Sequence, residues 1–156
     1  MLELTSSQSG TDMAQIPARI VVGLDGSPSS LDALTWAVRQ AGFTGAELEA
    51  VIAWESPILY GVYPISDDVD WREIAQQTID AALREALGED RAKVCATVIE
   101  GHPAKVLLDA AVGAELLVVG NRGHGGFAQM LLGSVSAHVV THATCPVLVV
   151  RHAHRP

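Results

Sequence analysis

The stretch Leu116–Ser136, LLVVGNRGHGGFAQMLLGSVS, limits what this chain can become more than any other part of it. It opens with an unbroken apolar run, Leu116 to Val119. Such a run suits a strand covered on both faces, because a strand with one wet face alternates apolar and polar positions. The run breaks at Gly120 into a glycine-rich turn that extends to Gly126. A short apolar piece, Phe127 to Leu132, then leads to Gly133-Ser134, where a helix is expected to start with Ser134 as its cap. Strand, glycine turn and helix start are the parts of an anion site. Glycine lets backbone approach a ligand closely. The free N–H groups of a first helical turn favour negative charge by about 0.3–1 kcal/mol at exposed sites.

The rest of the chain repeats strand and helix in alternation. Strands are expected over Arg19–Leu24, Glu47–Trp54, Lys93–Glu100, Glu115–Gly120 and Pro146–Arg151. Between them, Ser29 or Ser30 should cap a helix that runs to about Ala41 and stops at Gly42. Asp67 or Asp68 should open a longer helix, ended by Gly88, with Ile74, Ile79, Ala82, Leu83 and Ala86 on its core face. Pro103 suits the first position of a helix that ends at Gly113, and another runs from Ser134 to about His142. This order predicts an α/β fold, a parallel sheet with helices on both faces. Ligands of such sheets bind beyond the C-terminal strand ends, where strand order reverses.

Composition narrows the function classes. A formal charge of -8 makes nucleic acid and anionic membrane poor partners. No apolar run is long enough to span a bilayer. Residues 1–17 are small and polar and read as a disordered leader, residues 18–152 as one domain and 153–156 as a tail. Glu55 to Ser66, with Tyr60 and Tyr63, reads as a loop long enough to be a lid or contact surface. Cys95 and Cys145 lie in apolar segments and are expected as buried free thiols, which suits a reducing cytoplasmic setting. His138 and His142 have the spacing of half a zinc site, but no third ligand stands at suitable spacing, so they read as a surface pair.

The glycine pattern is G-x2-G-x9-G-S, carried by Gly120, Gly123, Gly133 and Ser134. A P-loop would need a Lys before the Ser, and the only lysines are Lys93 and Lys105. A Rossmann fingerprint would follow the first strand, not a late one. The spacing resembles the ATP-binding signature of the universal stress protein family. The start of the domain, Ile20-Val21-Val22-Gly23-Leu24-Asp25-Gly26-Ser27, and its end, Cys145-Pro146-Val147-Leu148-Val149-Val150, are similar to that family too.

The resemblance implies a five-stranded sheet of order 3-2-1-4-5 and a crevice between the strands ending at Asp25 and Gly120. It implies ATP as ligand, with Mg²⁺. Gly120 and Gly123 would admit the phosphates, and Gly133, Ser134, Val135 and Ser136 would offer them N–H and hydroxyl groups. Ala53, with Val51 beside it, would touch adenine; Gly23 and Val119 complete the strand ends. Asp25 has two readings, a cap on the turn at Ser27 or an acceptor for ribose or for a phosphate-bound metal. Arg122 is either a phosphate fork or a solvated loop residue, and His124 either a loop residue or a side chain leaning over a phosphate. The family also implies a homodimer through Val147–Val150 and a cytoplasmic, nucleotide-responsive regulator rather than a fast enzyme. A slow ATPase or phosphotransferase, a cyclic AMP binder at the same site and a nucleotide-independent interaction module are the competing readings.

Overall fold

The computed structural model describes residues 17–56, 69–124 and 131–152. Its strands are β1 (Arg19–Leu24), β2 (Glu47–Trp54), β3 (Val94–Glu100), β4 (Leu116–Gly120) and β5 (Val147–Val150). They form one 5-stranded sheet in the order β3-β2-β1-β4-β5. Every adjacent pair is parallel, with Val21 opposite Glu49 on one side and Leu117 on the other. The expected fold and strand order are therefore both present. β1 is apolar without alternation because each of its faces meets helices: Val21 and Val22 point to opposite sides and both are fully buried.

The helices are α1 (Pro28–Thr44), α2 (Trp71–Leu87), α3 (Pro103–Ala110) and α4 (Ser134–His142). One face of the sheet packs Ile20, Val22, Leu24 and Val118 against Leu34 of α1 and Ile79 of α2. The other packs Val21, Val51, Leu117 and Val119 against Leu107 of α3 and Val139 of α4. Burying each such side chain contributes roughly 1.5–3 kcal/mol, so the two helical layers hold β1 and β4 rigidly at the centre.

Several expectations need correction. α1 begins earlier and ends later than Ser29–Ala41. Ser27 is its cap, with its Oγ accepting from the Ser30 N–H at 3.3 Å, and Pro28 opens the helix. Gly42 lies inside it, and the helix stops at Gly45, which takes the left-handed conformation (φ 73°) and donates its N–H to the Ala41 carbonyl. Gly42 is tolerated as a weak helix former, whereas Gly45 supplies the conformation that ends one. Asp67 and Asp68 lie outside the described residues. Asp70 caps the described α2, accepting from the Glu73 N–H at 3.0 Å. Its core stripe is Ala75, Ile79, Ala82 and Leu83, and Ile74 stands 47% exposed, one helical step off that stripe.

α4 is capped by Gly133, and Ser134 is its first helical residue. α3 ends at Ala110, short of Gly113. β3 starts at Val94, after a 3-10 turn over Gly88–Lys93. Cys95 is exposed and Cys145 half-buried, against the expectation of two buried thiols. β3 is an edge strand, and the helix layer packed on Val21 and Val51 does not cover Cys95. Most of the leader, the body of the Glu55–Ser66 loop and the tail lie outside the described residues. Among the described residues, no helix is long and apolar enough to cross a membrane.

Candidate functional site

The strand order places β1 between β2 and β4, so the C-terminal ends of three strands meet where the connections diverge to opposite faces. A cavity of about 490 Å³ opens there. It takes Gly23, Leu24 and Asp25 from β1 and its exit, Val51 and Ala53 from β2, and Val119 and Gly120 from β4. Arg122, Gly123 and His124 of the following loop and Gly133 to Ser136 at the start of α4 complete the mouth. Every site residue named from the sequence borders this one space.

The sequence did not point to a further wall, Pro103 and Leu107 of α3. A signal was available: a helix that opens directly after β3 starts at the ligand end of the sheet. Gly23 sets the distance of that wall, since a Cβ there would lie 2.8 Å from a Leu107 methyl. The cavity accordingly has an apolar part, made by Val51, Ala53, Leu107 and Val119, and a part rich in backbone N–H groups and small polar side chains.

The polar end is held by a clamp between two distant parts of the chain. Ser29 is buried in the first turn of α1, and its Oγ donates to the Arg122 carbonyl at 2.5 Å across 93 residues. The Ser27 hydroxyl donates to the same carbonyl at 3.2 Å. Gly120 makes the approach possible. A Cβ there would lie 2.5 Å from Ser29 Oγ, 2.7 Å from the Ser29 carbonyl carbon and 2.8 Å from the Ser30 nitrogen. Gly120 is thus required by the packing of α1 against β4, a role different from the expected admission of phosphate. On the other side of the loop, the Gly133 N–H donates to the Asn121 carbonyl at 2.7 Å, and the Asn121 N–H to the Val150 carbonyl at 2.8 Å.

Asp25 takes the first of its two readings, the cap on the turn at Ser27. One carboxylate oxygen accepts from the Ser27 N–H at 2.9 Å, closing the turn. The other faces Gly123, where a Cβ would come within 2.5 Å of it. Ser136 is buried, and its hydroxyl donates to the Gly120 carbonyl at 2.6 Å, so that proton is committed within the protein. The amide N–H groups of Ser134, Val135 and Ser136 belong to the first turn of α4, where a helix supplies no acceptors of its own. His138 in the middle of α4 and His142 at its end are exposed, with rings stacked at 4.2 Å. Among the described residues no group of three or more His, Cys, Asp or Glu is placed to hold a metal ion.

The family model described as "Universal stress protein family" matches residues 18–151, almost the whole chain. The chain belongs to the universal stress protein family. A universal stress protein of Mycolicibacterium smegmatis is 40% identical over 149 residues, which are 91% of this chain and 49% of that protein. One from Mycobacterium tuberculosis is 37% identical over 140 residues, 86% of this chain and 44% of the relative. The chain therefore spans about half the length of these curated relatives. Among solved structures, a universal stress protein in complex with cAMP is 33% identical, with a TM-score of 0.60 over 88% of this chain and 98% of the other. A universal stress protein from Archaeoglobus fulgidus shares the fold at 22% identity and a TM-score of 0.64, over 88% and 96% of the two chains.

Proposed function

We propose that this universal stress protein binds an adenine nucleotide, ATP with Mg²⁺, in the cavity between β1 and β4, and acts as a nucleotide-responsive regulator. The observation that carries the reading is the convergence of the motifs around Asp25 and around Gly120–Ser136 on one space with an apolar part and an N–H-rich mouth. A base fits the part made by Val51, Ala53, Leu107 and Val119, and phosphates fit the glycine loop and the first turn of α4. Asp25 is the one carboxylate in the described lining. Mg²⁺ would thus be held chiefly by phosphate oxygens, with Asp25 at hand.

The same inventory favours binding over rapid turnover. Phosphoryl transfer draws on several positioned charges, and the described lining carries Arg122 and Asp25 with His124 beside them. Cyclic AMP is the second reading, favoured by the 33% identical relative in complex with that ligand. A cytoplasmic location belongs to the same proposal, as does a homodimer formed at the edge of β5. That dimer predicts a two-chain mass in light scattering at micromolar concentration.

Mass detection of nucleotide released on denaturing the purified protein, followed by calorimetric titration with ATP plus Mg²⁺ and with cyclic AMP, tests the ligand. Gly123→Glu and Gly133→Glu should each abolish binding in a folded protein. Full affinity in either variant would move the site elsewhere. ADP in place of ATP after purification would favour the ATPase reading. No binding at millimolar nucleotide would favour the interaction module.

A further inference from the structure

We infer that His124 reads the phosphate end of the bound nucleotide, its protonated imidazole pairing with the phosphates so that affinity for phosphorylated ligands rises as the ring takes up a proton. This rests on the nucleotide reading above and names a residue that the glycine signature does not contain.

The geometry places the ring at the site. His124 lines the cavity beside Gly123, and its Nε2 lies 3.6 Å from the point where a Cβ on Gly26 would be. A Thr78 methyl of α2 stands 2.9 Å from that same point. The ring is therefore folded back over the β1–α1 turn, on the Asp25 side of the cavity. It is exposed enough to be solvated, and no hydrogen bond to another described residue engages it. Its backbone follows directly on the clamped Arg122–Gly123 segment, so the base of the side chain is fixed while its tip is available.

The charge inventory gives the ring its task. The ionisable side chains of the described lining are Asp25, Arg122 and His124, and α2 presents the Thr78 methyl there. Asp25 and Arg122 cancel, in a chain whose formal charge is -8. With a neutral imidazole, the cavity therefore brings no net positive charge beyond the partial charge of the α4 N-terminus. A polyphosphate is strongly anionic, and histidine is the side chain that ordinarily gains charge between about pH 8 and pH 5. A charged ring would add one charge-assisted hydrogen bond to a phosphate oxygen, and adenosine would gain nothing from it.

The test uses the full chain and its His124→Gln and His124→Arg variants, checked for folding by circular dichroism. Adenosine, AMP and ATP are titrated by calorimetry from about pH 5.5 to about pH 8.5. The ligand's own ionisation is common to all three proteins and cancels in ratios between them. The ATP Kd of the Gln variant should exceed that of the parent by roughly tenfold at the acid end and by less than about twofold at the alkaline end. Adenosine should bind all three alike, and the Arg variant should hold ATP tightly, with a ratio to the Gln variant that stays flat with pH. A ratio that stays near one at every pH, with adenosine still bound, overturns the role of His124 and leaves the nucleotide site standing. An equal loss for adenosine and ATP also overturns it, since that marks a merely structural role. Failure of all three ligands to bind the parent protein overturns both.

Discussion

Gly120→Ala is the sharpest perturbation the structure offers, because it separates what a glycine does for the fold from what it does for a ligand. Gly120 does not sit in the left-handed region, so alanine is free to adopt its backbone conformation. The obstacle is space. The new methyl would lie 2.5 Å from Ser29 Oγ, 2.7 Å from the Ser29 carbonyl carbon and 2.8 Å from the Ser30 nitrogen. The hydroxyl could rotate away at the loss of its bond to Arg122, but the other two atoms are helix backbone. Relief requires α1 to move off β4 over a surface that includes Leu34 and Val118, both fully buried. Overpacking of this kind costs about 1–3 kcal/mol, and the upper half of that range is expected here. Gly133→Ala is the control. Its methyl would meet its nearest neighbour at 3.5 Å, an ordinary contact. Only the weaker capping tendency of alanine opposes it, by about 0.5–1 kcal/mol. Urea unfolding of the three proteins without nucleotide, with m-values compared, measures both. A Gly120→Ala protein within about 0.5 kcal/mol of the parent, or more stable than Gly133→Ala, would refute the assignment of Gly120 to helix packing.

Three further outcomes follow from the same geometry. Gly123→Ala brings a methyl against the tip of an exposed carboxylate, which can swing away, so stability should change by less than about 1 kcal/mol while nucleotide affinity falls roughly tenfold through displaced Asp25; calorimetry beside urea unfolding separates the two. Ser29→Ala removes the shorter of the two hydroxyl bonds to the Arg122 carbonyl, leaves that of Ser27, and should lower stability by about 0.5–1.5 kcal/mol, read from the urea midpoint, with a weaker nucleotide site as its companion. Cys95 is exposed and Cys145 half-buried, so an aromatic disulfide reagent should label Cys95 first in the native protein, as peptide mapping will show.

Much of the site was legible because its chemistry is local in sequence. Glycines, an N-cap position and strand-end residues announce themselves by type and spacing, and each of those named borders the cavity. The buried strands were legible for the same reason, since β1 and β4 are apolar without alternation. What escaped depends on partners distant in the chain. The steric need for Gly120 comes from α1, and nothing within Leu116–Ser136 reveals it. The wall made by Leu107 required knowing that α3 packs on this face of the sheet and sends Leu107 against Gly23. Cys95 departs from its expected burial because an edge strand is only partly covered, however apolar its segment. The end of α1 was misplaced because two glycines lie within reach of it and only Gly45 takes the left-handed turn. Ile74 was misplaced by one step of the helical stripe that Ala75 and Ile79 define.

The clamp from Ser29 to Arg122 joins parts of the chain 93 residues apart. It can close only where β1 and β4, equally distant in the chain, lie side by side. The pocket therefore exists only when both halves of the domain are in place, and a fragment holding the glycine loop alone would lack its anchor. A ligand that binds there stabilises the whole cooperative unit at once. Amide exchange in α1, which supplies the anchor, should slow together with exchange in α4 when the site fills. A bound ligand would in this way touch the helical layers on both faces of the sheet at once, α1 through the serine clamp and α4 through its first turn.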